Sequence, residues 1–201
     1  MDTVVSVPRP PQAGEHTRNA WAVVCAVGVA LLLGWLLKTS VEGRSIAFTS
    51  PDGAVSLTYP AAWTAAKSED GVWLSVSDLY ATGMPASFKV YARAADPGMR
   101  LSDAAIAWTM SRMTALHEFR DLGSIETTLS GHPAIMLNYG FVADPPGGSG
   151  LATLPVVARG RDAIVVLGQQ YLVFSATYDA AQRDVEQKMA RILDSVSLSG
   201  K

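Results

Sequence analysis

The stretch "AWAVVCAVGVALLLGWLL", residues 20 to 37, contains no charged residue. Such a run suits a membrane span, a cleaved export signal or a buried core helix, and little else. Eighteen residues at 1.5 Å each reach about 27 Å as a helix, close to the hydrocarbon thickness of a bilayer. Trp21 and Trp35 stand near its two ends, with Arg18 and Lys38 outside them, as when indoles and cationic heads occupy both headgroup layers. The run continues into "LLKTSVEGR" rather than into a small-x-small cleavage site. Residues 20–38 are therefore read as a retained transmembrane helix, with cleavage after Thr39-Ser40 as the alternative. Trp21, Gly28, Gly34, Trp35 and Lys38 are the anchor residues, the glycines permitting close approach of a neighbouring helix beside the small residues Ala22, Ala26 and Ala30. Cys25, the only cysteine, follows Val24 and just five residues of the apolar run, which does not match a lipidation signal. It reads as a small lipid-facing hydrophobe.

Charge does not orient the span. Arg9 and Arg18 precede it, and Lys38 and Arg44 follow it. Residues 1–19 hold three prolines, a glycine and mixed charge, and are expected to be a flexible tail, while 39–45 form a short linker. Residues 46–201 have the length of one domain with its own core, and no Pro/Gly/Ser linker divides them. They carry 12 basic and 15 acidic residues without a basic cluster, which argues against a nucleic-acid partner.

Period-two patterns dominate this domain. "IAFTSPDGAVSLTYP" holds two strands around a Pro51-Asp52-Gly53 turn, with Val55, Leu57 and Tyr59 on one face and Pro60 ending the second strand. "VWLSVSDLY" and "SFKVYARAA" continue the pattern, as do "SIETTLSGHPAIMLNYGF" and "VVARGRDAIVVLGQQYLVFSATY". Ile164 and Val166, then Leu172, Phe174, Ala176 and Tyr178, read as central antiparallel strands. The period changes in "LSDAAIAWTMSRMTALHEF", where Ser102 is the expected N-cap and Ile106, Met110, Met113 and His117 the expected core stripe of a helix, with Trp108, Leu116 and Phe119 broadening its apolar contacts. A second helix follows Asp179 as N-cap, with Val185, Met189, Ile192, Leu193 and Val196 on its buried stripe. The expected class is α+β, an antiparallel sheet covered by helices in an α/β/α sandwich behind one transmembrane helix.

Chemistry is nearly absent. Neither G-x-S-x-G, H-E-x-x-H, a phosphate loop nor a dinucleotide fingerprint occurs, and no catalytic, cofactor-binding or metal-ligating residue is nominated. His132 with Asp144 would make a weak metal pair only if folding brought them together. No cofactor is expected and the chain is read as non-catalytic. The loop "ADPPGGSG", with Asp144, Pro145, Pro146 and Gly147, is a candidate interaction loop.

The order "PDGAVSLTYPAAW", a paired-strand region, a helix beginning "LSDAA", "SGHPAIMLNYGF", a final strand pair and a terminal "ILDSV" resembles the PsbP/Mog1-like family of α/β/α sandwich domains. The likeness covers nearly all of 46–201, chiefly through the Tyr59-Pro60-x-x-Trp63 corner and the Gly131-His132-Pro133-Ala134 turn. It implies a non-enzymatic docking domain on an exported side. Members associated with photosystems are extrinsic lumenal proteins that stabilise the oxygen-evolving centre, and nuclear relatives bind a small GTPase. A membrane helix of its own departs from the photosystem pattern and suggests a tethered subunit. The functional expectation is an accessory or stabilising subunit of a multisubunit membrane complex, photosynthetic or respiratory, with integral-membrane protein subunits and the lipid bilayer as partners. Its N-terminus would be cytoplasmic and its domain periplasmic or extracellular. The alternative is a membrane-tethered sensor or small-ligand-binding module of the cell envelope, with an apolar pocket near Trp63, Trp73 or Trp108.

Overall fold

The computed structural model describes residues 13–67, 70–81, 84–144 and 154–199. The chain parts into two compact units between Arg44 and Ser45. The first contains one helix, α1 (Ala13–Glu42), in which Ala20–Lys38 is long and apolar enough to cross a membrane, with none of that stretch buried. The helix outruns the apolar run at both ends, taking in 13–19 of the expected flexible tail and 39–42 of the expected linker.

The second unit is built on antiparallel pairing. A small sheet joins β1 (Ser45–Thr49), β2 (Val55–Pro60) and β10 (Ser197–Leu198) in the order β1-β2-β10. The large sheet contains β3 (Thr64–Ala65), β4 (Val72–Asp78), β5 (Ala86–Ala94), β6 (Arg120–Leu129), β7 (His132–Ala143), β8 (Val156–Leu167) and β9 (Gln170–Asp179), in the order β3-β4-β5-β9-β8-β7-β6. Helix α2 (Leu101–Ala115) lies on β7 and β8, whereas α3 (Arg183–Asp194) packs against β9 and β2. The result is an α+β sandwich with the large sheet in the middle.

Each face of that sheet has its own core. Val55, Leu57 and Tyr59 of β2 alternate with exposed Ser56 and Thr58 and meet Phe88 and Val90 of β5, Phe174 of β9, and the stripe Val185, Met189, Ile192 and Leu193 of α3. On the opposite face, Ala104 and Trp108 of α2 pack with Leu137, Tyr139, Phe141, Ile164 and Val173. Central strands are covered on both sides, so Asp162 through Val165 of β8 are all buried and read as an unbroken run rather than an alternation.

Helix boundaries shift from the sequence expectations for local reasons. The N-cap of α2 is Arg100, two residues before Ser102, and the Asp103 carboxylate accepts from the Arg100 backbone N–H at 3.3 Å and its Nε at 3.1 Å. The helix ends at Ala115, leaving His117 outside it. Asp179 does not cap α3, which begins at Arg183 behind Gln182; the Asp179 carboxylate instead accepts the Ala181 N–H at 2.9 Å in the preceding turn. His132 opens β7 and Asp144 follows its end, separated along the strand by about 40 Å at 3.3 Å per residue, which removes the proposed metal pair.

Candidate interaction surfaces

The expected core stripe of α2 is its outward face. Ile106, Met110 and Met113 are 59%, 65% and 60% exposed, while Ala104 and Trp108, with Arg112 one turn on, face the sheet. Asp162 explains the inversion. It sits on β8 with no solvent exposure, and a carboxylate there without donors would be several kcal/mol unfavourable. Trp108 and Arg112, four residues apart on one helical face, supply them: Trp108 Nε1 donates to Asp162 Oδ2 at 2.6 Å and Arg112 Nε donates to the same oxygen at 3.1 Å. Tyr139 Oη donates to Asp162 Oδ1 at 3.2 Å.

The guanidinium is held from several sides. Its Nη2 donates to Ser175 Oγ, and its Cζ lies 4.6 Å from the Trp108 ring centroid and 5.6 Å and 5.8 Å from those of Tyr91 and Tyr139. Burial pulls its pKa down, but the facing Asp162 carboxylate, together with the Tyr139 and Tyr91 phenols, outweighs this and holds it above the ordinary arginine value. Burial, reinforced by the Asp162 charge, pushes the Tyr139 phenol well above the usual tyrosine range. Gly160 makes room for this phenol: a Cβ there would stand 2.0 Å from the Tyr139 ring. The network is fully partnered, since no buried side-chain nitrogen or oxygen among the described residues lacks a hydrogen bond.

This arrangement leaves α2 with an uncharged outward face. Between Asp103 and the end of the helix its only charged residue is Arg112, which is turned inward. That outward face mixes Ile106, Met110 and Met113 with the exposed hydroxyl residues Ser102, Ser111 and Thr114. At roughly 60% exposure each, Ile106, Met110 and Met113 forgo about 1–2 kcal/mol apiece of the burial free energy available to such side chains. Methionine is common on surfaces that receive a partner, because its flexible thioether adapts to an opposing shape.

A second surface lies on the other side of the large sheet, where, among the described residues, α3 leaves β6, β7 and part of β8 open. An open hollow of about 460 Å³ is lined by Arg120, Leu122, Gly140, Val142, Val157 and Arg159, among others. A neighbouring hollow of about 580 Å³ shares Arg159 and continues past Arg161, Tyr178 and Glu186. Arg161 is neutralised by Glu186 at 3.2 Å and donates to Asn138 at 3.2 Å. The alternation of "VVARGR" carries a signal for this face, because Val157, Arg159 and Arg161 fall on one side of a strand.

The residues singled out by sequence are scattered. Trp21 and Trp35 are exposed on α1, about 21 Å apart along its axis, and Gly28 and Gly34 have nothing within 4 Å of an added Cβ. Six residues of helix turn those two glycines about 120° apart, so they do not share one face. Lys38 closes the apolar stretch. Asp144 is exposed after β7, and Pro145, Pro146 and Gly147 lie outside the described residues. Trp63 and Trp73 belong to the α3 side of the large sheet and Trp108 to the α2 side, so these indoles do not frame one pocket. No group of three metal-ligating side chains occurs among the described residues.

No family model and no curated protein matches the sequence. Solved structures do match. The cyanobacterial PsbP (CyanoP) from Synechocystis sp. PCC 6803 aligns with a TM-score of 0.58 at 12% identity, over 77% of this chain and 92% of its own. LpqN of Mycobacterium tuberculosis, described as involved in cell envelope biogenesis, aligns at 0.54 and 11% identity over 78% and 91%. The Saccharomyces cerevisiae Ran-binding protein Mog1p aligns at 0.52 and 12% identity over 77% and 95%. The antiparallel sandwich that follows the apolar helix thus has the PsbP/Mog1-like fold.

Proposed function

We propose that this chain is a non-catalytic, membrane-anchored accessory subunit that docks on a protein surface of a multisubunit membrane complex through the outward face of α2, with its domain on the exported side. The observation carrying this reading is the inverted helix: its mid-helix cation is committed to Asp162, and Ile106, Met110 and Met113 face outward without a charge among them. The apolar stretch Ala20–Lys38 supports membrane attachment. The Ran-binding and envelope-biogenesis descriptions of two fold relatives are compatible with a docking role, carried over as analogy.

Photo-crosslinking in native membranes tests it. A benzophenone side chain at Ile106, Met110 or Met113 is expected to reach one and the same integral-membrane protein, while a probe at Gln187 on α3 does not. Met110→Asp should abolish co-purification of that protein in gentle detergent and leave the domain's thermal melt unchanged. Recovery of uncrosslinked monomer from all three α2 positions would overturn the reading.

A further inference from the structure

On the side of the large sheet away from α2, four strands meet in one row beside the hollow. Arg120, Gly140, Arg159 and Tyr178 are successive partners across β6, β7, β8 and β9, so one cross-strand row reads Arg–Gly–Arg–Tyr on a single face. At about 4.8 Å between strands, the two arginine Cα atoms stand roughly 10 Å apart, and Gly140 places no side chain between them. Arg120 and Arg159 are exposed and form no ion pair among the described residues, in contrast to Arg161 in the next row with its Glu186. The walls of the hollow are hydrocarbon, from Leu122, Val142 and Val157, of which Leu122 and Val157 are 59% and 66% exposed. One acid, Glu118, stands on the rim in the left-handed backbone region at φ 51°, leaving the two arginines in excess.

We propose that this hollow binds a phosphate-bearing amphiphile, namely the head group of an anionic phospholipid. The phosphate would lie above Gly140 between Arg120 and Arg159, and the apolar body against Leu122, Val142 and Val157. Guanidinium forks recognise carboxylates and phosphates alike, but a planar carboxylate presents both oxygens to one fork. A phosphodiester directs its oxygens to two sides and is shared by cations approaching from opposite strands. The hydrocarbon walls favour a head group with an attached chain over a free anion, because a small hydrated ion leaves Leu122 and Val157 in water. Attachment through α1 is the source of high local lipid concentration in this scheme. Docking through α2 is not part of it, since that helix lies on the opposite face of the sheet.

The experiment uses the full chain in micelles doped with phosphatidylglycerol or phosphatidylcholine, with retained lipid counted by native mass spectrometry. Wild type is expected to retain phosphatidylglycerol in preference to phosphatidylcholine. R120Q/R159Q should lose at least tenfold of that retention, while R100Q, which alters an exposed cation at the start of α2, keeps it. Both mutated arginines are exposed, so the thermal melt of the double variant should match wild type. L122S/V157S should weaken phosphatidylglycerol retention as well, and soluble dihexanoyl phosphatidylglycerol should displace the bound lipid at concentrations where inorganic phosphate does not. Equal retention by R120Q/R159Q, or equal retention of the two lipids by wild type, would overturn the site. Displacement by inorganic phosphate as effectively as by the dihexanoyl lipid would overturn the amphiphile and leave a free-anion site. M110D is expected to retain lipid like wild type, so failure of α2 docking and failure of this site are separable.

Discussion

Removing the Arg112 guanidinium should destabilise the domain far more than its distance from the main core suggests. In Arg112→Met, the Asp162 carboxylate keeps the Trp108 and Tyr139 donors at 2.6 Å and 3.2 Å but loses the cation 3.1 Å away, at a position without solvent exposure. Breaking a buried ion pair by deleting one partner costs about 3–5 kcal/mol, against total stabilities of roughly 5–15 kcal/mol for a domain. With a urea dependence of about 2 kcal/mol per molar, the unfolding midpoint should fall by about 2 M. The assay is urea denaturation of residues 45–201, the compact unit that contains both cores, followed by tryptophan fluorescence. Arg112→Met/Asp162→Asn removes both charges while keeping an oxygen for Trp108, and should recover about 2 kcal/mol over the single variant because no buried charge is left alone. A loss below about 1 kcal/mol in Arg112→Met, or a double variant no more stable than the single, would refute the claim that this pair fixes the helix.

Three further outcomes follow from the same structure. The phenol of Tyr139 has its pKa raised in the folded state, so the stability it contributes is intact below the unfolded value near 10 and is lost as pH rises above it; urea melts above pH 10 should lose up to about 1.4 kcal/mol per pH unit more in wild type than in Tyr139→Phe. Ile192→Asp puts a carboxylate at a position 2% exposed and should destabilise the domain by several kcal/mol, read by the same melts; a loss under 1 kcal/mol would mean that this end of α3 is frayed. The chain should resist carbonate extraction from membranes, and protease added to intact spheroplasts should remove a C-terminal tag while sparing an N-terminal one, whereas a C-terminal tag protected until lysis would reverse the proposed orientation.

The two domain helices show where sequence was sufficient and where it was not. Helix α3 has one apolar stripe and charges everywhere else, so Val185, Met189, Ile192 and Leu193 could point only inward, and they do. Helix α2 has apolar residues on every side and a single mid-helix charge. Periodicity alone then selects the stripe of Ile106, Met110 and Met113 for the core, with Trp108 only broadening it, although Ala104, Trp108 and Arg112 are what face the sheet. The deciding information lies fifty residues downstream at Asp162, the one acid of β8, and only the fold shows which helix lies above it. The arginine row has the same character: Arg120, Gly140 and Arg159 come from three strands, and their alignment is a property of register rather than of local spacing. The apolar run Ala20–Lys38 is the most legible part because a stretch of that length announces itself without tertiary context.

A buried ion pair is a poor source of stability, since apolar side chains of similar volume often do as well, so its value here lies in orientation. A helix with two apolar faces has two ways to lie on a sheet, and hydrophobic burial discriminates weakly between them. Turning Ile106, Met110 and Met113 inward would expose Trp108 and carry it and Arg112 away from Asp162, leaving a carboxylate without its cation in a site closed to water. That penalty acts against the rotated packing. The pair therefore acts at a distance from the surface it serves. By fixing which side of α2 meets the sheet, it commits the opposite side, with its one isoleucine and two methionines, to whatever lies outside the domain.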